Sequence, residues 1–457
     1  VAFRADSDPE KRARKVDELL ASEAFAEHQS RVWQATLIGT GTGDSGFNPW
    51  FQEWLRESFA ENRPYDRMVR EILVPEGWVD EAKSSVYLHR WTGVDDRTSA
   101  VTRHFLGVQI RCAQCHDHPF DQWKQRDYWG MAAFLARTDI EYSETEKVIE
   151  PTFQSETERT RVIEYDEGEV DLPSSKHPLV VAPRFLGTER DLDPERRRAA
   201  LADWIVSPEN PWFARALVNR LWGQLTGRGF VHPVDDLKPS NAPSHPEAFD
   251  ALARRFVAGG FDLRDLFRAI LLSRAYQRSS SWPGGAGRPG RETFAVANVR
   301  ALSRYQLVES IGRATDFDFQ YRYLPEDAEA PTESTDPSEL AGDEGAKAVE
   351  EVYDAHEDYV RQMQMATSPV ERTLLRLNGG VVNDSIGSGR RVTAVLEDLG
   401  TPQERVRWLF LAALSREPTA SESRQFVEYA RGAEDEWEAT SDLLWSLLNS
   451  TEFGVVR

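Results

Sequence analysis

Sulfur is scarce in this sequence: 457 residues contain two cysteines and four methionines. Two cysteines exclude a disulfide-stapled framework. A bridge between two so close in sequence would close a tiny loop and add little to the fold. Lysine is also rare, 8 residues against 47 arginines, a bias read as genome composition. No apolar run reaches eighteen residues, so this segment has no membrane span. Walker, G-x-S-x-G and H-E-x-x-H sequences are missing. The one glycine-rich stretch, GTGTGDSGFNP at 39–49, lacks the phosphate-loop lysine and does not fit G-x-G-x-x-G, so it reads as a plain loop. The net charge of −21 excludes a nucleic-acid backbone as the main partner. It favours solubility and a basic partner protein, and the partner expected is a redox or structural protein.

What is present suits a folded chain. Hydrophobic residues make up 40% and charged residues 29%, ordinary for a globular protein. The fourteen tryptophans suit half-buried pockets and interfaces. Apolar stripes at helical spacing recur along the chain, among them Trp50, Trp54 and Phe59, then Phe213, Leu217 and Leu221, then Leu263, Leu266, Phe267 and Ile270. A helix is predicted from about Asp96 to Gly107 and another from Asp127 to Leu135. Ser244 and Glu247 have the spacing of a capping box. Between these helical regions, residues 160–165 and 169–172 flank Asp166-Glu167-Gly168 and predict a β-hairpin. Prolines at 173, 178 and 183 then mark an extended connector. The expected architecture is mainly α: two helical domains, 1–144 and 194–457, joined by a hairpin-containing connector at 145–193. A mobile acidic loop is expected at about 325–350.

Both thiols lie in the nine residues CAQCHDHPF, 112–120. C-x-x-C-H is the attachment sequence of c-type haem: each thiol adds across one vinyl group and the next histidine supplies a nitrogen to iron. On this reading Cys112, Cys115 and His116 hold haem c. Two rivals stay open. The same residues with His118 are soft enough ligands for zinc or another divalent metal, and the two thiols could act as a redox pair. For a second iron ligand or a supporting group, the candidates are His104, His89, Met131 and His118, with Asp117 and Asp121 as acceptors that orient an imidazole or cap the next helix. A secondary cluster, His232, Asp235, Asp236 and His245, offers metal-binding or acid–base groups; its plainer reading is turn and cap chemistry. Asn219 and Arg220 read as an inward-facing polar pair.

A resemblance to known families rests on long stretches. DRTSAVTRHFLGVQIRCAQCHDHPFDQWKQRDYWGMAAFLART (96–138), with Trp33 and FQEWLRESFAENRPYDRMVREIL (51–73), resembles the planctomycete cytochrome-like domain, domain of unknown function fifteen-forty-nine. The stretch 196–280, which begins RRRAALADWIV, resembles the planctomycete PSD domain, domain of unknown function fifteen-fifty-three. LLRLNG (374–379), FLAALSREPTASE (410–422) and LLWSLLNSTEF (443–453) are similar to the same domain. The resemblance implies an exported protein, periplasmic or extracellular, whose leader is absent from this segment. It also implies that Cys112, Cys115 and His116 occupy the motif that gives the first family its cytochrome label. The resulting expectation is a c-type-cytochrome-like protein that binds haem covalently and supports electron transfer. The alternative is a non-haem metal protein, a hydrolase or a surface-assembly component.

Overall fold

Apolar residues three and four apart become the buried stripes of helices. In the computed structural model, which describes residues 3, 6–39, 46–151, 155–173, 179–282, 284, 287–317, 375–377 and 380–456, the fold is mainly α. The acidic loop expected at 325–350 lies outside these residues. The chain divides into two compact units, Val1–Asn298 and Val299–Arg457.

In the first unit, α1 (Lys11–Leu20), α2 (Glu23–Leu37), α3 (Asn48–Ala60) and α4 (Tyr65–Leu73) bring Trp33, Phe51, Phe59 and Tyr65 into one core. Ser22 accepts the Phe25 N–H and starts α2, satisfying an amide that the helix itself leaves unpaired. A short helix α5 (Val86–Arg90) leads to α6 (Val94–Val101). The latter runs on as a single π turn, Thr102–Leu106, and ends at Gly107 with φ 65°. A Cβ at Gly107 would also lie 3.1 Å from both Ala216 and Leu237, so this position needs glycine for its backbone and for its neighbours. After the cysteines, α7 (Gln125–Leu135) buries Tyr128, Met131 and Phe134. The remaining helices of the unit are α8 (Arg197–Val206), α9 (Phe213–Thr226), α10 (Pro246–Ala258) and α11 (Leu263–Leu271). Their apolar residues belong to the same core as α1–α7. Tyr65 of α4 stacks on Phe213 of α9 with ring centroids 4.9 Å apart. Residues 1–144 and 194–298 therefore share one interior, and the spatial division at 298–299 differs from the sequence-based division at 145–193.

The β element sits in that connector but pairs differently from the prediction. Strand β1 (Thr138–Ile149) pairs antiparallel with β2 (Glu156–Glu164), while the two-residue strands β3 (Val170–Asp171) and β4 (Val180–Val181) form a separate pair. Residues 160–164 are thus strand, but their partner lies upstream, Thr138 facing Glu164 and Tyr142 facing Thr160. The upstream strand carries three glutamates and an aspartate, which hide it from an alternation test. Charge pairs across the ladder hold it instead: Arg161 with Glu141, and Lys147 with Glu156 at 3.5 Å. Trp78 adds an aromatic face under the Arg159 and Arg161 guanidinium groups. The capping box expected at Ser244 also fails to form. His245 occupies the N-cap with no side-chain cap bond, because α10 begins with Pro246.

The second unit has its own core of Val308, Ile311, Val406, Phe410, Leu444 and Leu448. It comprises α12 (Arg304–Thr315), α13 (Gly380–Ser388), α14 (Arg390–Asp398), α15 (Pro402–Leu414), α16 (Ala420–Gly432) and α17 (Glu436–Leu448). A short strand pair, β5 (Arg300–Ala301) with β6 (Val455–Val456), joins its two ends. Capping boxes at Ser303, Thr401 and Thr419 start α12, α15 and α16. Arg416 bridges Glu422 and Glu452, each at 2.7 Å.

Candidate functional site

The cysteine stretch is a surface loop built on buried supports. Residues Arg111–Gln114 form one 3₁₀ turn in which Ala113 is fully buried. Cys112 lies within the turn and Cys115 caps its C-terminal end, while Ala113 anchors it from below. Both thiols are free and exposed, so no packed side chains wall them in.

The rest of the loop is fixed by hydrogen bonds to α7. The Gln114 carbonyl accepts from Gln125 Nε2 at 3.0 Å and from Trp129 Nε1 at 2.9 Å. Asp117 Oδ1 accepts the Gln125 N–H at 2.9 Å, so this carboxylate serves the N-terminus of α7, where negative charge is favoured. The His118 N–H donates to the Trp123 carbonyl at 2.8 Å, and Trp123 is buried at 3% exposure. Asp121 Oδ1 accepts the neighbouring Gln122 N–H. Neither carboxylate is seen to orient an imidazole.

The two loop histidines differ in which ring nitrogen is occupied. His116 Nδ1 lies 2.8 Å from the Asp117 carbonyl oxygen. A carbonyl can only accept, so Nδ1 carries a proton, and in the neutral ring Nε2 presents the lone pair. His118 has the opposite arrangement: its Nδ1 accepts the Phe120 N–H at 3.2 Å, which ties up the lone pair within the loop. His116 is ligand-competent as it stands, and His118 is a turn residue.

The other candidate ligands are engaged elsewhere. Met131 is a core residue at 1% exposure. His89 uses both ring nitrogens, one with the Ser85 carbonyl at 2.9 Å and one with Thr160 Oγ1 at 3.0 Å. His104 is buried beside Tyr87, Trp91 and Phe105, with its Nδ1 3.0 Å from Tyr87 Oη. Burial, with help from Arg220 and Arg103, holds His104 well below its ordinary pKa.

The secondary cluster does not come together as a site. Asp235 is buried and bound by Arg103 Nε and by Gln109 Nε2, the latter at 2.9 Å. Asp236 pairs with Lys238 at 3.0 Å and accepts from Asn241 at 3.2 Å. His232 is exposed, and His245 packs on Phe230 and Phe294. Asn219 organises this region instead. Fully buried, it donates to the Val231 and Val234 carbonyls and accepts the Val231 N–H. Among the described residues, no group of three or more His, Cys, Asp or Glu side chains is arranged to hold a metal ion.

A polar group that sequence spacing does not reveal lies in the interior of the first unit. Tyr65, Tyr87, His104 and Arg220 come from α4, α5, the π turn and α9. They lie within electrostatic reach of one another. The π turn is the local irregularity that presents its carbonyls to Arg220, and such turns recur at functional sites.

The comparisons with known proteins give families without an assigned activity. Residues 1–140 match the family model PSCyt2, "Protein of unknown function (DUF1549)", and residues 197–430 match PSD1, "Protein of unknown function (DUF1553)". No curated protein and no solved structure matches the chain.

Proposed function

We propose a function for this chain, which belongs to the PSD1 family of proteins of unknown function (DUF1553) and carries a PSCyt2 (DUF1549) segment ahead of it. That function is covalent attachment of a c-type haem at Cys112 and Cys115, with His116 as iron ligand, in support of electron transfer outside the cytoplasm. One observation carries the reading. Two free, exposed thiols sit within and at the end of one 3₁₀ turn, and the histidine that follows has its Nδ1, not its Nε2, engaged by a backbone carbonyl. This donor set fits the group: thiols for the vinyl carbons and a neutral imidazole for iron. Bound there, haem would supply one-electron redox chemistry.

The chain's own residues define what the site can do. Ala113 and the two bonds to the Gln114 carbonyl fix the turn that presents the thiols. The Asp117 carbonyl fixes the tautomer of His116, the outer-shell role that orients metal-bound imidazoles. Around the thiols the exposed side chains are polar, apart from Pro119 and Phe120, the latter at 82% exposure. Met131 and His89 are committed to the fold, so neither serves as a sixth ligand without rearrangement. The alternative of a non-haem metal at this loop requires further donors, and the described residues bring none to it.

The test is expression with c-type haem maturation and export, followed by a pyridine haemochrome spectrum of denatured protein. Wild type is expected to keep a covalent haem band in the periplasmic fraction. Cys112→Ala together with Cys115→Ala should lose it, and His116→Ala should keep the covalent band but alter the native spectrum. A colourless wild type that carries zinc by elemental analysis would refute haem in favour of the metal reading.

A further inference from the structure

We infer that the segment matching PSD1 completes the cysteine site, with Asp235, Arg220 and the Leu237 N–H as positioning groups that hold the chain entering Cys112. The purpose of this hold rests on the haem reading, in which two thiols must meet two vinyl groups; its geometry does not.

The path into the motif begins where a helix ends. The π turn stops at Leu106, and the last carbonyls of a helix have no partner within it. Arg220 of α9 supplies partners for two of them. Its Nη1 donates to the His104 carbonyl at 2.6 Å and its Nη2 to the Arg103 carbonyl at 3.1 Å. A planar guanidinium fork loses little freedom in making both bonds. Gly107, the first residue past the turn, has its carbonyl bound by the Leu237 N–H at 2.8 Å.

One carboxylate then ties the side chains on either side of Gly107. Arg103 Nε and Gln109 Nε2 each donate to a separate oxygen of Asp235, the latter at 2.9 Å. Asp235 is buried at 7% exposure, so these charge-assisted bonds are costly to leave unmade. Its loop is fixed in turn by Asn219, which donates to the Val231 and Val234 carbonyls. Cys112 lies three residues past Gln109. Between them Ile110 is buried at 1% exposure, and its carbonyl accepts the Ala113 N–H at 2.9 Å.

The turn is thus held from its two ends by different parts of the chain. Downstream, α7 binds the Gln114 carbonyl, beside Cys115. Upstream, residues of 220–237 bind 103–109, on the side of Cys112. These upstream partners are 116 to 132 residues apart in sequence, so the second segment is part of the site and not an appended module.

The experiment measures hydrogen exchange on overlapping peptides of the full chain, expressed without haem maturation. Gln109 is exposed, so Gln109→Ala should melt close to wild type. It should speed exchange at residues 109–112 about tenfold, the effect of one good hydrogen bond, and leave 114–117 unchanged. Gln109→Lys keeps a donor for Asp235 and should restore the wild-type rate. Trp129→Phe, which removes a donor from the Gln114 carbonyl, should act in the opposite sense, on 114–117. After haem maturation, Gln109→Ala should leave Cys112 unattached in a fraction of molecules, read by alkylation and mass spectrometry, with Cys115 attached throughout. Unchanged exchange at 109–112 in Gln109→Ala, an equal rise on both sides of the turn, or no recovery in Gln109→Lys overturns the assignment. So does equal attachment of both thiols in Gln109→Ala. A colourless wild type would refute the haem reading alone, because the exchange rates do not depend on haem.

Discussion

The cysteine loop and the interior polar group around Arg220 are two polar places in one unit, and they are built in opposite ways. The loop takes all its chemical groups from five consecutive residues, 112–116, and holds them out on a turn that the fold merely anchors. The interior group takes its members from four elements and makes them part of the core, with Tyr65, Tyr87 and His104 at 1%, 0% and 6% exposure. Loop chemistry can therefore change without touching stability. Chemistry at the interior group cannot, because the same side chains fill the core.

Truncation should expose this contrast most strongly. Tyr65 packs against Trp33, Phe213 and Phe256. Tyr65→Ala should destabilise the first unit by about 3–5 kcal/mol, the range for large aromatic deletions in cores. Phe120→Ala, at the tip of the loop, should change stability by less than about 0.5 kcal/mol. Urea denaturation of both variants checks this, and comparable losses would mean that the loop is as much part of the core as the interior group.

A pH titration sharpens the same comparison. The fold keeps His104 neutral, through burial first and then Arg220 and Arg103, well below the ordinary value of 6.5. Below pH 6.5 the unfolded chain binds a proton that the folded chain refuses. Stability from this group is therefore complete above 6.5 and falls as pH drops toward the folded value. The slope reaches at most about 1.4 kcal/mol per pH unit for each such histidine. His89 is shifted in the same direction, chiefly by burial, so His104→Gln should remove part of the slope and leave part. An unchanged slope between pH 6.5 and 5 in His104→Gln would show that the imidazole is not held neutral by the fold.

What could be seen in the sequence follows from the same difference. C-x-x-C-H is linear, so Cys112, Cys115 and His116 could be named without a fold. Asp117 was legible as a helix cap because α7 begins eight residues later. The tautomers of His116 and His118 were not legible, since they depend on which backbone groups the loop brings back. The interior group was invisible because Tyr65 and Arg220 meet only after α4 packs beside α9. Each alone looks like an ordinary stripe residue or a lone inward charge. The strand pairing was missed for another reason. Residues 138–149 carry charge where an alternating apolar pattern was sought, and their partner is identified by ion pairs across the ladder.

Between core and loop tip stands Asp117, whose carboxylate binds the first N–H of α7. Asp117→Ala should cost about 1 kcal/mol, as loss of an N-cap does, and should leave the backbone bond to His116 Nδ1 in place because a carbonyl makes it. Thermal melting reads the first effect. The second appears as an unaltered His116 tautomer in long-range proton–nitrogen NMR correlations, and a switch to Nε2–H would show that the side chain, not the carbonyl, sets it.

The smallest effect is the most informative about the loop. Both thiols are exposed and unpaired, and the turn is held by Ala113 and the Gln114 carbonyl, so no packing or hydrogen bond depends on sulfur. Replacing Cys112 and Cys115 together by alanine should shift the stability of the haem-free protein by no more than about 0.5 kcal/mol. It should also leave α7 as protected from hydrogen exchange as before. If the double variant instead lost more than about 1 kcal/mol or loosened α7, the thiols would be structural, and the contrast with the interior group would disappear. If stability is unchanged while covalent haem is lost, the two cysteines are there for chemistry alone, because the fold gains nothing from them.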